Sequence, residues 1–293
     1  MKKVLVPKVL SHAGKWIYDG YASAWESLGY EVERYVEYHN QKADYLMIYD
    51  HILNENNISF KNYEKVFLFV TFNNFDEPYG LHENYVSKAS KNQKIIDAIN
   101  SQDNVVKWSF CNTIRMPQYF DKWGEVEYVP LAFDSINYRR VESQSNYDVC
   151  FVGGYANNGF NTKHQIMKDI FHDFMESGLR CGFFLNRNLS HEEECRVLTN
   201  SKVCLNIHDS YQRDIGLDIN ERTFKALGLN GNMISDYVEE GIFLLGKQFF
   251  HRDSKLVDSV QSVLNISDED RQSNRDSICA NHTYINRIQQ LLK

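Results

Sequence analysis

From end to end the chain alternates short apolar runs of strand length with stretches of helical periodicity. Strands buried on both faces need continuous apolar runs, so this order predicts parallel sheets covered by helices, an α/β protein. In the first half, strands are expected at 3–9, 31–35, 45–49, 65–71, 105–108 and 127–129. Between the first two, Ile17, Tyr21, Ala24, Trp25 and Leu28 share one helical face, and Gly29 ends the helix, completing a βαβ unit.

The second half restarts with the same logic. A strand at 149–152, a glycine turn, a helix at 163–176, a strand at 181–185, a helix at 191–199 and a strand at 203–207 resemble a second nucleotide-binding-type unit. With 293 residues the chain exceeds the size at which one core keeps growing, so two domains are expected. The boundary is placed near Asn137 to Asn146, where Ser, Asn and charge replace apolar periodicity. The stretch from Asn220 to Tyr237 reads as a short helix, a glycine stop and a buried strand that ends on an acid. The segment from Arg271 onward returns to a helical pattern with Ile278, Ile285, Ile288, Leu291 and Leu292 apolar; it packs on its own domain or crosses back to the first.

A net charge of -7 argues against a surface given over to nucleic acid or anionic lipid, and leaves only a local groove for a polyanion. The six cysteines form no C-x-x-C pair, and several sit in apolar runs, which suits reduced thiols and a cytoplasmic setting. Pro7 and Lys8 interrupt the opening apolar run, against a secretory signal, and no window is long enough to span a bilayer.

Open parallel sheets bind ligands at the carboxyl ends of their strands, and four such places carry polar residues. His12 follows the first strand; it is a candidate general base toward an acceptor hydroxyl, or equally a loop histidine that caps the next helix. Asp76, with Glu77 and His82 nearby, follows the strand at 65–71 in a loop that Pro78 and Gly80 explain without function; Asp76 is a second candidate base. Gly153 and Gly154 follow the strand at 149–152, allowing close backbone approach to a phosphate, and Thr162 and Lys163 begin the next helix with free N–H groups and a positive charge. This is neither G-x-G-x-x-G nor a Walker loop. Finally, His208 follows a strand, and Arg222 and Lys225 lie on the first turns of a helix, where positive charge opposes the macrodipole unless an anion is present. Ordinary pairing with Glu221, Asp218 or Asp214 is the plainer reading.

The succession "DVCFVGG", "VCLNIHDS", "NERTFKALGLNGNMISDY" and "HTYINRIQQLL" resembles the C-terminal half of GT-B glycosyltransferases, most closely the spore-maturation glycosyltransferase-like family with its patterns R-x-F-E-A-L-x-x-G and H-T-Y-x-x-R. The likeness spans about residues 148–293; "GYASAWESLGYEV" and "VEYVPLAFD" in the first half are looser. The resemblance implies two Rossmann-like domains with parallel sheets facing a central cleft: 1–140 for the acceptor, 141–275 for a nucleotide-sugar donor, and 276–293 as a terminal helix crossing back. It implies a UDP- or GDP-sugar as co-substrate and no cofactor, and no D-x-D motif stands in a suitable loop to hold a metal. By motif, Gly153 and Gly154 approach the donor diphosphate, Arg222 sits beside it, and His208 and Asp236 line the donor pocket.

In one position the chain departs from the pattern. The family's glutamate, which in related enzymes binds the ribose hydroxyls, is replaced by Lys225, and a cation accepts no hydrogen bond. Either Glu221 or Asp218 holds the ribose, or Lys225 meets phosphate directly, or the donor has changed or catalysis has been lost. The expected activity is transfer of a sugar to a hydroxyl of a glycan, protein, small molecule or modified nucleic acid. Alternatives are a nucleotide-sugar epimerase, a catalytically silent nucleotide-sugar-binding protein and a glycosyltransferase acting on a modified DNA base. The oligomeric state is left open.

Overall fold

The computed structural model describes residues 1–10, 12–71, 87, 89–144, 146–155, 163–246 and 255–293. They form two compact units, residues 1–130 with 284–293, and residues 131–283.

The first unit holds a parallel sheet of six strands: β1 (Lys3–Pro7), β2 (Glu31–Tyr35), β3 (Tyr45–Tyr49), β4 (Lys65–Phe69), β5 (Val105–Ser109) and β6 (Glu127–Tyr128), in the order β2-β1-β3-β4-β5-β6. Helix α1 (His12–Ser27) joins the first two strands, and α2 (Gln93–Asn100) precedes β5. The central strands bury continuous apolar runs, Val4 to Val6, Leu46 to Ile48 and Val66 to Leu68. The edge strand β2 instead alternates charge, and its Glu33 pairs with Lys3 at 2.6 Å, which protects an edge from further pairing. β1 stops at Pro7, two residues short of the expected end, level with Tyr35, where its partner β2 also ends.

The second unit has four parallel strands, β7 (Tyr147–Gly153), β8 (Cys181–Leu185), β9 (Ser201–Asn206) and β10 (Met233–Ser235), in the order β10-β9-β7-β8. Helix α3 (Lys163–Glu176) links β7 to β8, and α4 (His191–Thr199) links β8 to β9. Between β9 and β10 come α5 (Ser210–Ile215) and α6 (Glu221–Leu229); α7 (Glu239–Leu245), α8 (Leu256–Leu264) and α9 (Asp268–Asn281) follow. α3 and α8 close the core around Phe151, Phe171, Phe174, Val203, Leu205 and Ile234, while α6 packs on α4 and α9. The chain leaves β7 toward β8 on one side and β9 lies on the other, so the carboxyl ends of β7 and β9 flank the point where connections diverge.

The closing segment is two helices rather than one. After α9 the chain breaks at His282 and Thr283, where Phe133 N donates to His282 O at 2.7 Å and Phe133 bridges to Thr283. α10 (Tyr284–Leu291) then belongs to the first unit. No described helix is long and apolar enough to cross a membrane.

Candidate functional site

The site grows from the start of α6. Asn220 caps that helix by accepting from Thr223 N at 3.1 Å, and its own amide donates to Ile207 O at 3.1 Å, which ties the helix start to the end of β9. This places Arg222 over the divergence point. Its Nε donates to Val152 O at 2.9 Å, its Nη1 to Ile207 O at 3.3 Å, and its guanidinium lies 4.6 Å from the Phe151 ring centre. A guanidinium carries five N–H donors, so most of them are still available. Among the described residues Arg222 has no ion pair, whereas Lys225 and Arg213 both do.

Gly153 makes that placement possible, because a Cβ there would overlap the Arg222 guanidinium. Beyond it, Asn186 in the left-handed region accepts from Tyr155 N at 2.9 Å and donates back to Tyr155 O at 3.0 Å, fixing the turn that contains Gly154. Among the described residues a Cβ on Gly154 would meet only Asn186 Oδ1, at 3.8 Å. Lys163 opens α3; Thr162 lies outside the described residues.

His208 is fully buried. Its Nδ1 lies 2.8 Å from Asp236 Oδ1, its backbone N donates to the same carboxylate at 3.1 Å, and its Nε2 is 3.4 Å from both Asn206 and Thr223. Burial raises the Asp236 carboxyl, but the His208 charge and hydrogen bonds, with Arg213 at 3.5 Å, outweigh it and hold Asp236 below the usual range. The pair fixes the loop after β9. Asp236 also reaches a cavity of about 460 Å³ that Arg213, Tyr237, Ile170, Phe174 and Leu256 help to line.

Sequence spacing groups Arg222 with Lys225, and the structure separates their partners. Lys225 is buried, with Nζ 2.9 Å from Glu194 Oε1, 3.4 Å from Glu221 Oε1 and 3.3 Å from Tyr138 OH. Burial disfavours its charge, yet the two carboxylates dominate and keep it well above the usual lysine range. Glu221 was legible as an i,i+4 partner; Glu194, on another helix, left no local signal. Asp218 is buried against Gln212, and burial pushes its carboxyl up to about 7. Of the two candidate bases, His12 is the first residue of α1, and Asp76 lies outside the described residues. Among the described residues no three His, Cys, Asp or Glu side chains group to hold a metal ion.

Residues 169–293, less than half of the chain, match a family model described as glycosyl transferase-like. No curated protein matches the sequence. Among solved structures, T4 phage BGT in complex with UDP-glucose shares 11% identity over 100% of both chains, with a TM-score of 0.56. A sucrose-phosphate synthase from Thermosynechococcus elongatus shares 8% identity, covering 99% of this chain and 97% of its own, with a TM-score of 0.58. AviGT4, a glycosyltransferase involved in avilamycin A biosynthesis, shares 9% over 100% of this chain and 96% of its own, with a TM-score of 0.57. At these identities the likeness is one of fold: the chain is an α/β protein with the fold of GT-B glycosyltransferases, and its C-terminal part carries a glycosyl transferase-like domain.

Proposed function

We propose that the protein is a glycosyltransferase that moves a hexosyl or pentosyl group from a nucleotide-diphosphate donor, a UDP- or GDP-sugar, to an acceptor hydroxyl. One observation carries this reading: Arg222 is held by a carbonyl from each side of the β7/β9 divergence, has no carboxylate partner among the described residues, and lies beside the turn at Gly153 and Gly154. As the glycosidic bond breaks, negative charge develops on the departing nucleotide diphosphate. A cation already fixed where that charge appears stabilises the transition state with little reorganisation. The start of α3, at Lys163, offers N–H groups that suit an anion.

The glycosyl transferase-like match over residues 169–293 and the fold shared with a UDP-glucose complex support the same donor chemistry. In this reading the donor is held by residues 141–275 and the acceptor by residues 1–140. His12 takes the acceptor proton if the anomeric centre inverts, with Asp76 the second choice. The six free cysteines suit a reducing, cytoplasmic setting. The test is calorimetric titration with UDP, GDP and their sugars. The wild type is expected to bind one of these nucleotides, with Arg222→Ala losing most of the affinity. Failure of every nucleoside diphosphate to bind, or equal binding by the variant, would sink the reading.

A further inference from the structure

The opposite end of α6 is surrounded by guanidinium groups. Arg140 Nη1 donates to Leu229 O at 2.6 Å, Arg271 Nη1 to Asn230 Oδ1 at 2.9 Å and Arg275 Nη1 to Asn230 O at 2.9 Å. Gly231, at φ +77°, gathers them: a Cβ there would overlap the Arg271 carbonyl, so the backbone of α9 lies directly on the turn. α9 therefore presents Arg271 and Arg275, one turn apart, to the end of α6.

Capping explains one such cation more readily than three. The carboxyl end of a helix carries about half an elementary negative charge. Among the described residues, the three guanidiniums have one carboxylate within 4.0 Å, the exposed Glu142 beside Arg140. Set against three positive charges, that leaves among groups within 4.0 Å an excess of roughly one and a half, which Asp268 and Asp276, acting on Arg271 and Arg275 from farther out, offset only in part. Like charges at i and i+4 repel. Burial holds Arg271 and Arg275 below the usual arginine range; the Arg140 charge lowers both further, while Asp268 acts the other way on both and Asp276 on Arg275. Arg275 Nε is buried with no hydrogen-bond partner. Among the described residues each of the three spends two of its five N–H donors on hydrogen bonds, since Arg140 also donates to Glu142, Arg271 to Lys202 O and Arg275 to Gln272.

We propose that Arg140, Arg271 and Arg275 form a second anion site that takes the phosphate group of a small phosphate-bearing molecule. Three planar forks around one turn suit the several oxygens of a phosphate better than they suit a single-charged carboxylate. The site lies within residues 131–283, at the far end of α6 from Arg222, roughly 12 Å along the helix axis.

The probe is inorganic phosphate at low millimolar concentration, with ionic strength held constant by chloride so that general salt effects cancel. Melting temperature is followed in the wild type and in Arg222→Ala, which silences the donor end. A saturable rise in both is expected. Arg140→Gln and Arg275→Lys, the latter keeping charge at the helix end while losing the fork, are expected to weaken phosphate affinity severalfold. Arginine side-chain Nε–H resonances give a readout that needs no variant: those of the three arginines are expected to shift with phosphate. No effect of phosphate beyond chloride, an undiminished effect in both variants, or unmoved resonances would overturn the proposal. So would binding of a single-stranded oligonucleotide in the absence of phosphate binding, which would make the patch a nucleic-acid surface.

Discussion

A Cβ on Gly153 would take the space that the Arg222 guanidinium occupies, so the guanidinium would have to move. Gly153→Ala is therefore expected to push the guanidinium off Val152 O and Ile207 O, weakening nucleotide binding about tenfold or more, or at least ~1.4 kcal/mol, with little change in melting temperature. Arg222→Lys should behave alike, since an ammonium offers no fork to span both carbonyls. Calorimetry decides; unchanged affinity in either variant would show that the fork is not what the nucleotide meets. Asp218 supplies a pH test. Burial raises its folded carboxyl from 3.8 to about 7, so the folded state holds a proton that the unfolded chain has released, and stability falls as pH rises between those values. The neutral Asp218→Asn is expected to gain on the order of 4 kcal/mol over the wild type at pH 8 and about 1–2 kcal/mol at pH 5, at about 1.4 kcal/mol per tenfold. A melting-temperature difference that stays constant from pH 5 to pH 8 would refute this. The sequence shows Arg222 as a cation at a helix start. It cannot show that two carbonyls hold it, since Val152 is 70 residues away in the chain.

At the scale of elements, α6 joins a polar face to a buried one. Lys225 sits on its buried side against Glu194 of α4, and removing one member of a buried pair leaves the other charge uncompensated. Lys225→Met is expected to cost about 3–5 kcal/mol in urea denaturation, and the double change with Glu194→Leu should recover much of it. Lys225→Glu, which restores the glutamate of the related pattern, should be worse than Lys225→Met, because it adds a carboxylate beside Glu194 and Glu221. Additive costs in the double variant would mean that the pair is not coupled. Strand cores were legible from apolar or β-branched runs: β2, β3 and β8 fall where the sequence places them, whereas the buried central strands β1 and β4 each end two residues before the expected end. β9 runs from Ser201 to Asn206 rather than over 203–207. Its last residue, Asn206, is buried and donates to Thr223 Oγ1 and Ser235 Oγ at 2.9 and 3.1 Å, partners contributed by α6 and β10. A polar residue whose amide is held by distant elements breaks the apolar pattern that marks strand ends, so hydrophobic periodicity alone misplaces it.

At the scale of the whole molecule, the closing H-T-Y-x-x-R stretch marks the passage from the second unit to the first. His282 O accepts from Phe133 N and Thr283 bridges to Phe133, both inside the second unit. One residue later, Tyr284 lies with its ring 4.8 Å from that of Tyr21, and a Cβ on Gly20 would overlap it. Arg287 Nε donates to Pro130 O at 2.8 Å, so α10 ties down the last residue of the first unit's longer segment. Tyr284, Ile288 and Leu291 are all buried there. Burying side chains of this size is worth about 1.5–3 kcal/mol each, so α10 supplies the first unit with several kcal/mol although it is remote in sequence. A chain ending at Thr283 should lose amide protection across β1, β3, β4 and α1 while peptides of β7, β9 and α6 keep theirs, as read by hydrogen exchange. The double variant Tyr284→Ala and Ile288→Ala should show the same asymmetry more weakly. Equal loss in both units would mean that they unfold as one cooperative body; no loss in the first would mean that its core is complete without α10.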